Sequence, residues 1–118
     1  MDSFETLTLE RQGAVCFVTI NNPPVNVMTP KLYQELVAAT EQLETDEGLK
    51  VVVFQSADPD FFIAHFDVSA ILTFPADTPA ERAETLTPFH QMCERVRTMP
   101  KATIVKMAGR AGGGGNEF

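Results

Sequence analysis

The amino-acid sequence predicts an α/β fold, in which strands alternate with helices and parallel strands are joined by right-handed crossovers. Short β-branched runs alternate with segments whose apolar residues recur at helical spacing. A Thr-Pro pair opens each long helical segment, as expected for an N-cap followed by proline at the first helical position. With 118 residues, 44% hydrophobic and 21% charged, the chain has the composition of one globular domain.

A β-hairpin is predicted first. Residues 4–9 alternate apolar and polar side chains, residues 11–13 supply a turn, and residues 14–20 form a second β-rich run. Two prolines at positions 23 and 24 then end the second strand, because proline has no N–H for a ladder.

The first helix is predicted over residues 30–44, with Thr29 as its N-cap and Pro30 at its first position. Glu35 lies off its apolar stripe. The stripe consists of Leu32, Leu36, Thr40 and Leu43.

The next strand is predicted over residues 51–54, a continuous β-branched and aromatic run that is typical of burial on both faces. An apolar loop over residues 61–67 and a short helical turn over residues 68–71 follow it. Residues 75–87 are predicted to be a mobile segment, since they are acidic, rich in threonine and poor in large apolar residues.

A second helix is predicted from Thr87-Pro88 to about Arg97, and a third strand over residues 103–107. Cys16 and Cys93 are expected to be buried, reduced thiols. Neither they nor His65 and His90 have the spacing of a metal site, so no metal is expected.

The net charge of −7 argues against non-specific nucleic-acid binding, and it would also repel an anionic ligand. No apolar run approaches the roughly 20 residues of a membrane span. The acidic N-terminus lacks the basic start of a signal peptide, so we expect a cytoplasmic protein without a membrane partner.

Residues 62–68 form the first candidate functional loop, because loops at the carboxyl ends of buried strands are the usual ligand sites of α/β sheets. Backbone N–H groups in such loops can face an anion. The alternative is a structural loop, in which Phe62 and Phe66 fill the core.

Residues 109–117 form the second candidate loop, with four consecutive glycines followed by Glu117. Glycines are entropically costly, which suggests close approach to a ligand, and Glu117 is a candidate acid or base. The spacing matches neither a phosphate-binding nor a dinucleotide-binding loop. The alternatives are a flexible linker and a solvated carboxylate. Backbone amides from both loops together would form an oxyanion hole.

Four motifs resemble those of the crotonase (enoyl-CoA hydratase/isomerase) family. Residues 18–26 resemble its first strand and Asn-Pro…Asn signature, and residues 51–68 resemble its Val-rich strand followed by Phe-x-Ala-Gly-Ala-Asp-Leu. Residues 101–104 resemble Lys-Pro-Thr-Ile, and residues 109–117 resemble Gly-x-Ala-x-Gly-Gly-Gly-x-Glu. The resemblance is collinear over nearly the whole chain.

This resemblance implies a spiral of ββα units that binds acyl-CoA thioesters, with no cofactor beyond the coenzyme A of the substrate. It implies a lyase or isomerase of fatty acid metabolism, trimeric or hexameric at full length. The N–H groups of Phe66 and Gly114 would hold the thioester oxygen, and Glu117 would move a proton or orient water. The substrate would also contact Ala64, His65, Asp67, Val68, Ser69 and Gly113.

The chain departs from the family at several positions. His65 replaces a glycine, where a positive φ would strain the loop, or where the imidazole would titrate near the thioester. Phe66 is bulkier than usual and would narrow the acyl pocket. Ala102 and Ala108 also replace the usual residues.

Family members are much longer than this chain, so we expect a truncated crotonase-like fold. Such a fold would lack the partner glutamate of the hydratases and show little hydratase activity. The alternatives are a divergent catalyst, or a non-catalytic module that binds acyl-CoA or a protein.

Overall fold

The predicted order of strands and helices is confirmed, except that residues 61–63 and 110–111, which were predicted as parts of loops, form two short strands. A computed structural model describes residues 3–77, 79, 81–82 and 84–118. The elements in chain order are β1 (Leu7–Gln12), β2 (Val15–Ile20), α1 (Pro30–Thr45), β3 (Val51–Ser56), β4 (Phe61–Ile63), α2 (Val68–Ile71), α3 (Pro88–Thr98), β5 (Ala102–Val105), β6 (Arg110–Ala111) and α4 (Gly114–Glu117).

The main sheet has the strand order β1-β2-β3-β5. Strands β1 and β2 are antiparallel, whereas β2 pairs with β3 and β3 with β5 in parallel. The parallel pairs require crossovers, which α1 and α3 provide. The hairpin is confirmed, but its turn was predicted too early. Gly13 has a φ of 60°, which permits a tight turn and lets Gln12 still pair with Val15.

Helix α1 begins and ends within one residue of its predicted bounds. The hydroxyl of Thr29 accepts the N–H of Leu32 at 3.2 Å, as an N-cap should. Although Glu35 lies off the predicted apolar stripe, its side chain is buried beneath the N-terminal segment. It accepts the N–H of Glu5 at 2.8 Å, and the N–H and hydroxyl of Thr6 at 2.8 and 2.7 Å.

Strand β3 alternates in burial, so the prediction that it is buried on both faces is wrong. Val52 and Phe54 are fully buried on the face that α1 and α3 share with the core. Val51 and Val53 are only half-buried on the opposite face. There Val53 pairs with Ile104 of β5, which is itself half-exposed.

Helix α3 occupies its predicted place, and Thr87 is its N-cap residue. The hydroxyl of Thr87 contacts the ring of His90. It makes no side-chain capping bond, contrary to the predicted cap. Strand β5 confirms the third predicted strand, although it ends at Val105. Cys16 is buried as predicted, but Cys93 is only half-buried, and both are free thiols.

Residues 78, 80 and 83 of the predicted mobile segment lie outside the described residues, and its mobility stays a prediction. No helix within the described ranges is both long and apolar enough to cross a membrane. In that same part of the chain, no three His, Cys, Asp or Glu side chains cluster as metal ligands.

Candidate functional site

The two candidate loops leave the same end of a small parallel sheet. Strand β4 pairs with β6 through Phe61 opposite Arg110 and Ile63 opposite Ala111. The N–H of Gly112 continues this ladder to the carbonyl of Ile63 at 3.1 Å. Because both strands run in the same direction, the loops that follow them lie side by side.

The glycine-rich loop is packed tightly against its neighbour, which argues against the linker alternative. Gly115 is buried, and a Cβ at that position would collide with the backbone carbonyl of Ile63. At Gly114, a Cβ would lie 3.3 Å from Cβ of Phe66 and 3.7 Å from its backbone nitrogen. Glycine is therefore required by the close approach of two main chains.

The orientation of the Phe66 N–H follows from hydrogen bonds on either side of it. The N–H of Met28 donates to the carbonyl of His65 at 2.8 Å, and the N–H of Asp67 donates to the carbonyl of Met28 at 2.9 Å. The peptide between His65 and Phe66 is trans, so its N–H points opposite to its carbonyl and away from Met28. Among the described residues, none accepts this N–H.

The Gly114 N–H is oriented in a comparable way. The carbonyl of Gly113 accepts the N–H of Glu117 at 3.0 Å within α4. The N–H of Gly114 belongs to the same trans peptide, so it points out of the start of this short helix. No acceptor within the described part of the chain takes this second N–H either.

Both residues line one cavity of about 500 Å³. Its wall is mainly apolar, and two of its lining residues, His65 and Glu117, have ionisable side chains. The remaining lining residues are Val68, Ile71, Phe74, Phe89 and Gly113. The cavity thus combines two unpaired backbone donors, one carboxylate and an apolar wall.

Three of the predicted substrate-binding residues lie beside this cavity without lining it. Asp67 is the N-cap of α2, where its carboxylate accepts the N–H of Ser69 at 3.0 Å. Ala64 is half-buried in the loop after β4. The structure therefore brings His65, Phe66 and Val68 to the cavity, and gives Asp67 a capping contact.

His65 does not strain its loop, because Asn26 is the only described non-glycine residue with a positive φ. The possible strain at this position is therefore not found. The imidazole is exposed, and its Nδ1 lies 2.7 Å from the carbonyl oxygen of Phe66. This contact is with the carbonyl of Phe66 and not with its N–H.

The ring of Phe66 is half-buried and packs within an aromatic cluster with Tyr33 and Phe89. Its centroid lies 6.4 Å from that of Tyr33 and 6.2 Å from that of Phe89, the latter edge to face. Phe62 is fully buried in the core, as the structural alternative expected. Phe66 combines both interpretations, since its ring packs on the core and the residue also lines the cavity.

Glu117 is exposed and lies between this cavity and a second one of about 460 Å³ that Cys93 also lines. Burial raises the pKa of the Cys93 thiol, and the Glu117 carboxylate raises it further. Cys93 is therefore held protonated beside the candidate acid–base group.

Sequence reasoning missed Tyr33, Met28 and Phe89 as parts of this site. Phe89 had a usable signal, because it follows the predicted cap of α3 on an apolar stripe. Met28 had no such signal in the sequence, since it contacts the loop through its backbone N–H and carbonyl.

The chain is similar in sequence to known proteins of one family. The family model described as Enoyl-CoA hydratase/isomerase matches residues 10–118. A Bacillus subtilis (strain 168) protein named "Probable enoyl-CoA hydratase" is 31% identical over 108 residues, which cover 88% of this chain and 39% of that protein. The chain thus spans about two fifths of the length of the curated relatives it matches first.

Solved structures share the fold. A crystal structure from Streptomyces avermitilis aligns with a TM-score of 0.79 and 37% identity, over 98% of this chain and 43% of that one. An enoyl-CoA hydratase/isomerase from Marinobacter aquaeolei aligns with a TM-score of 0.76 and 28% identity, over 95% of this chain and 44% of that one. The predicted crotonase-like α/β fold is therefore confirmed.

Proposed function

Since this chain belongs to the enoyl-CoA hydratase/isomerase family, we propose that it binds acyl-CoA thioesters and polarises their carbonyl with the N–H groups of Phe66 and Gly114. The proposal rests on one observation above all. These two N–H groups belong to residues that lie close together in space and line the same cavity. Neither N–H has an acceptor among the described residues.

The chemistry follows from where charge develops. When an α-proton leaves, or when a nucleophile adds at the β-carbon, the thioester oxygen gains the negative charge of an enolate. Fixed donors stabilise that charge more than they stabilise the neutral carbonyl, so they lower the barrier. Removing one such donor typically costs roughly 10²- to 10³-fold in rate.

Glu117 is proposed as the group that moves the proton or orients water. It lines the same cavity as the two amides and is exposed enough to exchange protons with solvent. As a carboxylate, it can accept an α-proton once the enolate is stabilised. His65 is the other ionisable side chain at the cavity, but its ring is engaged with the carbonyl of Phe66.

The apolar wall supports an acyl group as the ligand portion nearest the amides. Val68, Ile71, Phe74 and Phe89 offer no hydrogen-bonding groups to a polar substituent. Phe66 and Phe89 meet edge to face at this wall, which limits the width available to the acyl chain.

A thermal-shift titration tests this proposal. We expect acetyl-CoA to raise the unfolding temperature of the protein more than free coenzyme A does, because only the thioester offers an oxygen to the two amides. No shift with either ligand at millimolar concentration would contradict a coenzyme A site. Equal shifts with both would favour the non-catalytic binding module, which needs no polarised carbonyl.

Other expectations stay predictions. These are the absence of a cofactor beyond the coenzyme A of the substrate, a cytoplasmic location, a role in fatty acid metabolism and a trimeric or hexameric full-length assembly.

A further inference from the structure

The direction of the Phe66 N–H depends on the position of Met28, and Met28 lies in an irregular connection. Its N–H and carbonyl make the two bonds that bracket Phe66. The connection between β2 and α1 has no other regular ladder to fix its position. The buried side chain of Met28 and polar bonds within the connection therefore help to fix its position relative to the loop after β4.

Asn26 provides that link through a buried side chain. It is only 2% exposed and has a φ of 55°, a left-handed conformation that asparagine tolerates better than most residues. Its Oδ1 accepts the N–H of Asn22 at 2.7 Å, which closes the turn before it. Its Nδ2 donates to the hydroxyl of Ser56 at 2.7 Å and to the carbonyl of Phe62 at 3.0 Å.

These bonds tie the connection to the two strands on which the site depends. Ser56 ends β3, and its hydroxyl donates to the carbonyl of Phe61 at 2.7 Å. Phe62 lies in β4, immediately before the loop that contains Phe66. The side-chain amide of Asn26 therefore attaches the connection to both β3 and β4. The attachment lies two residues before Met28.

We propose that Asn26 is a positioning residue for the Phe66 N–H, acting through the backbone of Met28; this inference rests on the proposed function. Without the side chain of Asn26, the connection loses its bonds to β3 and β4, so Met28 is held less rigidly relative to His65 and Asp67. The planar peptide between His65 and Phe66 then loses its fixed direction, and its N–H no longer points steadily at the thioester oxygen.

The variant Asn26→Gly tests this, because glycine accepts the positive φ while the side-chain bonds of Asn26 are lost. Thr6→Val is the matched control, since it removes a buried hydroxyl that bonds Glu35 at 2.7 Å, and Thr6 does not line the cavity. Ser56→Ala is a milder second variant, which removes one of the partners of Asn26. All are compared under conditions where circular dichroism shows each to be folded.

Two measurements are made on each protein. The first is the infrared carbonyl stretch of bound acetyl-CoA labelled with ¹³C at its carbonyl, relative to the free ligand. The second is hydrogen exchange at the N–H groups of Met28 and Asp67, which needs no ligand. We expect Asn26→Gly to lose about half or more of the carbonyl shift. We also expect its Met28 and Asp67 amides to lose roughly tenfold in protection from exchange. Thr6→Val should keep the carbonyl shift and the protection.

Retention of the carbonyl shift and of both protected amides in Asn26→Gly would overturn the inference while leaving the proposed function intact. An equal loss in Thr6→Val would also overturn it, since the effect would then be general destabilisation. If the unsubstituted protein itself shows no carbonyl shift, the proposed function fails, and amide exchange alone decides whether Asn26 orients this loop. If Asn26→Gly does not fold, Ser56→Ala decides, with a smaller loss at the same two amides expected.

Discussion

In the proposed site, Phe66 has one role for its backbone and another for its ring. Its backbone N–H is oriented by Met28, whereas its ring packs between Tyr33 and Phe89 at the cavity wall. Because the donor belongs to the main chain, a substitution at this position can change the shape of the pocket without removing the hydrogen bond.

We therefore expect Phe66→Ala to bind longer and branched acyl-CoA thioesters better relative to acetyl-CoA. Loss of a half-buried ring should cost about 1–3 kcal/mol of stability, less than a fully buried one. Phe4→Ala is a suitable control, since Phe4 is also half-buried against the core but lies away from the cavity lining. Calorimetric titration across acyl lengths checks this, and unchanged relative affinities would exclude a role for the ring.

Elements were predicted best where a local side chain decides the outcome. Thr29 and Pro30 mark the start of α1 in the sequence, and the structure agrees. The burial of Glu35 could not be predicted, because it depends on a segment 30 positions earlier that folds over the helix. The site was likewise only partly predictable. Its two loops could be identified from the sequence, but the direction of their N–H groups depends on backbone bonds to Met28 and within α4, which the sequence does not reveal.

Glu35 also gives α1 a pH-dependent attachment to the N-terminal segment. Burial alone raises the pKa of Glu35, but the bonds from Thr6 and Glu5, assisted by Lys31, outweigh it and leave the pKa below its ordinary value of 4.5. A lowered pKa in the folded state contributes stability above the unfolded pKa. That stability is lost as the pH falls through the folded value.

We expect Glu35→Gln to lower the free energy of unfolding at pH 7 by roughly 1–3 kcal/mol, since it weakens bonds to a buried charge. The difference from the unsubstituted protein should shrink as the pH falls well below 4.5. Urea unfolding at several pH values measures it. Glu41→Gln is the control, because Glu41 is largely exposed and pairs with Arg95 at 3.5 Å. A pH-independent difference at position 35 would be contrary to this account.

At the scale of the whole molecule, the described cavity has the donors for thioester polarisation but one carboxylate at its wall, Glu117. A hydratase that holds water between two carboxylates needs a second. We therefore expect the 118-residue chain to hydrate crotonyl-CoA slowly, at least about 10²-fold below a complete two-carboxylate site. Loss of absorbance of the conjugated thioester measures the rate. Brisk turnover by this chain would show that one carboxylate suffices.

The most direct test of the account is to titrate the ¹⁵N-labelled protein with acetyl-CoA and follow the amide resonances of Phe66 and Gly114. If one thioester oxygen accepts both N–H groups, the two amide protons should move downfield together and saturate at the same ligand concentration. Saturable binding in which either proton stays in place would contradict the two-amide site.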